Sequence, residues 1–275
     1  MAMWDSISPP DHDDIKFHQM TTWTAGNFGR ISVRFQMISE SLCEAVDLCP
    51  CDNVLDVASG NGNAALAAAR RFADVTATDY VPELLSEAQH RAEAEGLTLL
   101  TRFADAECLP FEDGEFDVAL STFGVMYVPN AERAASELAR VVRSGGRIGL
   151  TSWTSEGLVG QLKRAAARFL PPREGDPPPT NWGSERRIQE LFGDFASNIR
   201  TTRKEFVFRY LSADHWLGVF RSHYGPLREA FAAVHPDHHE DLREALFEQL
   251  QRFDRGRHSC LSAPAEYLEV VIERA

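Results

Sequence analysis

V-L-D-V-A-S-G-N-G, residues 54–62, decides the fold of this chain. An apolar run carries one acidic residue, Asp56, and then breaks into a turn holding Gly60 and Gly62. Glycine lets the backbone take positive φ and approach a ligand closely, because no Cβ stands in the way. The Ala-rich run 63–72 that follows is built of good helix formers, so the turn opens a helix N-terminus that can receive a ligand's negative group. Strand, glycine turn and helix in this order are how doubly wound α/β domains hold nucleotide-like cofactors. A glycine motif alone is a weak signal, and the residues further along choose the cofactor.

Working outward, the spacing predicts strands at 54–58, 75–78, 99–104, 116–121 and 147–153. Helices are expected at 64–72, at 82–95 with Pro82 in its first turn, and at 131–142, closed by Ser144-Gly145-Gly146. Such alternation over about 100 residues predicts a mostly parallel sheet with right-handed crossovers. Upstream, residues 1–15 read as a loose, acidic, Pro-containing tail. Across 18–47, Ile31, Phe35, Ile38 and Leu42 recur on one helical face. After Trp153 the pattern changes: a helix at 157–170, a proline-rich loop at 171–179, a short helix at 188–192 and a strand-like run at 200–210. Ser212 caps a helix running to about 223, two helical stretches fill 226–255, and 266–273 reads as a final strand. The expected organisation is an N-terminal tail with lid helices over 1–47. One α/β domain then spans 48–275, with cap insertions at about 155–185 and 211–256.

With 275 residues, 44% of them hydrophobic, the chain can build one large domain with a modest cap. A net charge of −13 makes a nucleic-acid partner unfavourable. The cysteines (Cys43, Cys49, Cys51, Cys108 and Cys260) are odd in number and dispersed, as in a reduced, cytoplasmic protein. Cys49-Pro50-Cys51 reads as a turn before the first strand, and His235, His238 and His239 as a solvated turn, so no metal is expected. No apolar run is long enough for a membrane span and no signal peptide is seen, so the expectation is a soluble protein without a membrane partner.

Asp79 ends the second strand, where a carboxylate can accept both hydroxyl hydrogens of a ribose. Ala104-Asp105-Ala106-Glu107 follows the third strand, and Ser121-Thr122-Phe123-Gly124-Val125-Met126 the fourth. At these residues the chain resembles the class I S-adenosylmethionine-dependent methyltransferases, nearest the small-molecule group that includes ubiquinone/menaquinone-biosynthesis methyltransferases. D-V-A-S-G-N-G, A-T-D, D-A-E-C-L-P-F-E-D-G-E-F-D and R-V-V-R-S-G-G-R carry it in register over residues 50–155, and the rest of the chain is similar only in layout.

The resemblance implies a doubly wound, Rossmann-like α/β sheet of seven strands, the last antiparallel near the sheet edge, with a helical cap. It implies S-adenosyl-L-methionine as cofactor. Gly60 and Gly62 would let the backbone pass its methionine part, and Asp56 would anchor its amino end directly or through water. Asp79 would bind the ribose, Asp105 would accept from the adenine amino group, and Ala106 would offer its N–H to the ring. Thr122 and Phe123 would lie near the sulfonium, with Ala58 and Tyr80 completing the cofactor set. Trp23 and Phe28, in W-T-A-G-N-F, either fold over the cofactor as a lid or pack against the sheet. The cofactor carries an ammonium and a sulfonium but no phosphate, so acidic groups suit it.

Methyl transfer is a direct displacement, and a base is needed only when the acceptor must lose a proton. The candidates are His18, Tyr127, His223 and Tyr224; a histidine near a helix C-terminus tends to stay protonated, and a plain C-cap is the other reading of His223. Trp182, Trp216, Phe220 and Tyr224 in the insertions suit a flat, apolar small-molecule acceptor, or else a helical dimer surface, which leaves a homodimer open. Oxygen, nitrogen and carbon acceptors are not separated by these residues. Two rival readings remain: a nicotinamide-dependent oxidoreductase, against which Asp56 speaks, and a non-catalytic cofactor-binding regulator.

Overall fold

A computed structural model of the chain describes residues 12–170, 179–257 and 260–275. Helix α1 (His12–Thr24) begins inside the stretch read as a tail; residues 1–11 lie outside the described residues, as does most of the proline-rich loop. The helical spacing of 18–47 is broken by the turn at Gly26 into α1, α2 (Gly29–Ser32), a 3-10 turn Val33–Phe35 and α3 (Gln36–Ala45). Ile31, Phe35, Ile38 and Leu42 are all buried, as that spacing predicts.

The alternating half follows as β1 (Asn53–Val57), α4 (Asn63–Ala69), β2 (Asp74–Asp79), α5 (Pro82–Glu95), β3 (Leu100–Phe103), β4 (Phe116–Thr122), α6 (Ala131–Val141) and β5 (Val142–Trp153). Pro82 opens α5 and Gly96, in the left-handed region, closes it. The second half is α7 (Leu158–Ala167), α8 (Glu185–Phe192), β6 (Ala196–Tyr210), α9 (Ala213–His223), α10 (Gly225–Ala233), α11 (His239–Phe253) and β7 (Leu261–Arg274). Ser212 caps α9 by accepting from the His215 N–H.

The seven strands form one sheet in the order β3-β2-β1-β4-β5-β7-β6. β1 through β5 pair in parallel, and β7 runs antiparallel between β5 and β6. This is the doubly wound sheet that the alternation predicts, with the reversed last strand that the family resemblance implies. Side chains alternate across it: Val54, Val118 and Leu120 pack with α3, α4 and α5, while Leu55 and Ala119 join the larger core under α6. Every residue of α4 is buried, which its run of alanines permits against a sheet and two neighbouring helices.

β5, β6 and β7 are all longer than expected, β6 starting at Ala196 rather than at residue 200. β5 runs on through Ser144-Gly145-Gly146, where its register to β4 shifts, so the glycines make a bulge rather than a turn. Its Gly146 lies so close to β4 that a Cβ would fall 2.6 Å from the Asp117 carbonyl oxygen. β7 begins at Leu261 and includes Pro264, which pairs with Val207 of β6. Pairing with β5 starts only at Tyr267, so Pro264 sits where the strand is an edge and its missing N–H is no loss. Between β6 and β7, α9, α10 and α11 pack over one end of the sheet, with α11 against α7 and α10 against α1. Among the described residues no helix is long and apolar enough to cross a membrane.

Candidate active site

The strand order reverses between β1 and β4, and such switch points leave a crevice at the C-terminal strand ends. A cleft enclosing about 870 Å³, its open mouth included, lies there. Asp56, Ala58, Gly60, Asp79, Tyr80, Ala106, Thr122, Phe123, Trp23, Phe28 and Tyr127 all line it.

Asp56 is wholly buried at the end of β1. Its Oδ2 accepts from the Ala65 N–H at 2.8 Å, tying the strand to the first turn of α4, while Oδ1 has no hydrogen-bond partner among the described residues. Burial pushes its carboxyl up to about 8, against the pull of the Ala65 N–H, and the nearby Asp79 adds to the rise. Asp79 is held on both oxygens: Oδ2 accepts from Gly60 N–H at 2.8 Å and Oδ1 from Val81 N–H at 2.9 Å. Burial pushes it up to about 6, with those amides limiting the rise.

The cleft wall is strained. Ala58 and Phe123 have φ of 51° and 57°, a region that side chains other than glycine rarely occupy. The two turns interlock, for a Cβ on Gly124 would run into the Ala58 carbonyl oxygen. Phe123 is fixed further by stacking on Trp153, with ring centroids 4.0 Å apart. Gly60 and Gly62 divide the work of the turn. A Cβ on Gly60 would meet only the Phe28 ring edge at 4.0 Å, so this glycine faces the cleft. On Gly62, with φ of 82°, it would fall 2.8 Å from the Ala88 Cβ, so that glycine lets α4 settle on α5 and is not part of the lining.

Asp105 also stands outside the lining. Its Oδ2 accepts from Lys16 Nζ at 2.7 Å and its Oδ1 from the Glu107 N–H at 2.9 Å. Lys16 reaches Glu107 Oε2 as well, at 2.5 Å, and the two carboxylates hold its ammonium above its ordinary pKa despite partial burial. Lys16 and Gln19 escaped the sequence reading. Gln19 donates to the Tyr127 carbonyl at 2.9 Å and accepts from the Tyr80 hydroxyl at 3.1 Å. With Trp23 they stand at i, i+3 and i+7, one face of α1, and that spacing is the signal that could have found them.

Of the candidate bases, Tyr127 is at the cleft, its hydroxyl 3.1 Å from that of Tyr224 and 3.2 Å from Lys163 Nζ. Burial raises the pKa of both phenols. His18 and His223 are not brought to the lining. His18 Nε2 faces Glu229 Oε2 of α10 at 3.2 Å, and His223 ends α9 with its carbonyl against Gly26.

A family profile described as a methyltransferase domain matches residues 55–150. An uncharacterized protein of Mycobacterium tuberculosis is 46% identical over 185 residues, covering 66% of this chain and 68% of that one. The demethylmenaquinone methyltransferase of Thermus thermophilus is 35% identical over 141 residues, covering 50% of this chain and 64% of that one. The chain belongs to the class I S-adenosylmethionine-dependent methyltransferases. The YcgJ protein of Bacillus subtilis shares the fold, with a TM-score of 0.60 at 19% identity over 87% of this chain and 99% of that one. As a methyltransferase of this class the protein uses S-adenosylmethionine, which speaks against the nicotinamide reading.

Proposed function

We propose that this methyltransferase transfers the cofactor's methyl group to a small, flat, aromatic or apolar metabolite, by direct displacement inside the cleft. One observation carries the cofactor's placement: a buried carboxylate oxygen without a partner, Asp56 Oδ1, in a cleft lined by a second buried carboxylate and by no basic side chain among the described residues. An unpaired buried acid is costly, and a cationic ligand offsets that cost. Asp56 would hold the ammonium of the methionine part directly or through water. Asp79, already oriented by two backbone amides, would accept from the ribose hydroxyls, with Tyr80 beside it. The Ala106 N–H would meet the adenine, with Asp105 beside it in the chain but held by Lys16 outside the lining, and Gly60 and Ala58 would let the backbone run close.

When bound, the cofactor supplies an activated methyl group on a sulfonium. The protein's part is orientation and exclusion of water. Thr122 and the strained, stacked Phe123 would define the side of the cleft on which the transfer occurs. Trp23 and Phe28 would cover it as part of a lid formed by the described residues 12–47; the rest of the stretch read as 1–47 lies outside the described residues. The described parts of the additions at about 155–185 and 211–256 would complete the cap, whose buried Trp216 and Phe220 suit an apolar acceptor.

Incubating the protein with methyl-labelled cofactor and a small-molecule extract, then identifying labelled species by mass spectrometry, tests the substrate class. A labelled metabolite is expected. Label confined to protein or RNA contradicts it.

A further inference from the structure

Tyr127 and Tyr224 form a pair of phenols whose hydrogens are not all used. Tyr127 ends the 3-10 turn Val125–Tyr127 after β4, and Tyr224 links α9 to α10. Their hydroxyls lie 3.1 Å apart. Lys163 Nζ, from α7, donates to the Tyr127 oxygen at 3.2 Å and sits 4.3 Å from the centre of its ring. Each phenol owns one hydrogen. The bond between the two uses one of them, and the bond from Lys163 uses neither. Whichever phenol donates to the other, one hydroxyl hydrogen has no acceptor among the described residues.

The surroundings suit that hydrogen to a ligand. Tyr127 lines the cleft, Trp23 meets both phenol rings edge-on at 5.0 and 5.8 Å, and Phe220 closes on Tyr224 at 5.6 Å. Gln19 fixes the backbone of the turn through the Tyr127 carbonyl. A cation on a phenol oxygen polarises its O–H and strengthens it as a donor. The ionisable groups on the elements packed around the pair include Lys163 and Arg164 on α7, Lys16 and His18 on α1, Arg221 and His223 on α9, and Arg228 and Glu229 on α10. Of these, Lys163 reaches the Tyr127 hydroxyl, and His18 and Glu229 face each other at 3.2 Å. Burial raises the pKa of both phenols, so at neutral pH they are donors and not bases.

We infer that Tyr127 and Tyr224 are the anchoring subsite for an electron-rich oxygen, a phenolate or conjugated carbonyl, of an aromatic methyl acceptor. Lys163 is a positioning residue that aims Tyr127. The inference rests on the methyltransferase reading above and narrows its acceptor to oxygen-bearing aromatics. The pair holds the acceptor's oxygen while the aromatic walls hold its ring, which sets the direction of the reacting atom toward the methyl group.

A chromophoric phenol reports on the subsite directly, because the phenolate absorption band moves to shorter wavelength when its oxygen accepts a hydrogen bond. The probe is 4-nitrophenol, with 4-nitro-1-naphthol as a larger analogue, titrated with wild-type protein at mildly alkaline pH, where the probes are anionic. Saturable binding with a blue-shifted band is expected. In Tyr127→Phe, binding should weaken by about tenfold or more, with the shift lost, as for loss of a hydrogen bond to a charged group. Tyr224→Phe should keep most of the shift, because it frees the Tyr127 hydrogen, and Lys163→Met should bind with a smaller shift. The inference is overturned if Tyr127→Phe binds within about twofold of wild type with the same band, or if neither probe binds saturably to wild type that binds S-adenosylmethionine. Failure of wild type to bind the cofactor would instead strike the methyltransferase reading.

Discussion

Asp56 and Asp79 are acids that the fold keeps from water, and their titration is the site's clearest signature. An acid with a raised folded-state pKa binds its proton more tightly folded than unfolded. Its contribution is therefore full below the unfolded pKa of about 4 and is lost as pH rises through the folded value. With Asp79 at about 6 and Asp56 at about 8, the cofactor-free protein should lose stability across that window. Calorimetric unfolding from mildly acid to mildly alkaline pH reads this, and a midpoint that climbs over the same range contradicts it. A cation beside Asp56 favours its ionised form, so cofactor binding near neutral pH should release a proton. Titration in two buffers of different ionisation enthalpy measures that release. Both acids were legible because a lone carboxylate ending an apolar strand stands out. The ion pair of Asp105 with Lys16 was not, since it joins residues 89 apart through the docking of α1.

The glycine turn and the first helix are where local sequence and packing meet. Gly62→Ala adds a side chain at φ of 82° and drives it into Ala88, so it should destabilise the protein by about 1–3 kcal/mol in urea unfolding. Gly60→Ala meets no such clash, though its φ of 55° still strains the backbone, and its larger effect should appear in cofactor affinity. Helix α1 is tied to the core by Lys16, held to Asp105 and Glu107. In Lys16→Met, amide exchange over 12–24 should speed up while β1 and β4 stay protected; unchanged exchange would show that the ion pairs do not hold the helix. Capped elements such as α5 and α9 were readable to within a few residues, because Pro82 and Ser212 act locally. The continuation of β5 through two glycines and of β7 through Pro264 was not. Both depend on what lies alongside: Asp117 across the bulge, and the end of β5 beside the proline.

At the scale of the molecule, the alternation of strands and helices was enough to foresee the parallel half of the sheet and the place of the cleft. The long antiparallel pairing of β6 with β7, and the seating of α11 on α7, arise from contacts distant in sequence and carry no local signature. A ligand that binds only the folded state stabilises all of it together. Cofactor at about 100 times its dissociation constant should add about 2.7 kcal/mol, which for a chain of this size raises the unfolding midpoint by roughly 5–10 °C. The most direct test is isothermal titration of S-adenosylmethionine into wild-type protein and Asp79→Ala. Single-site binding to wild type, weakened by about tenfold or more in the variant, is the expected result. No binding to wild type, or equal binding to both, would contradict the site assigned here.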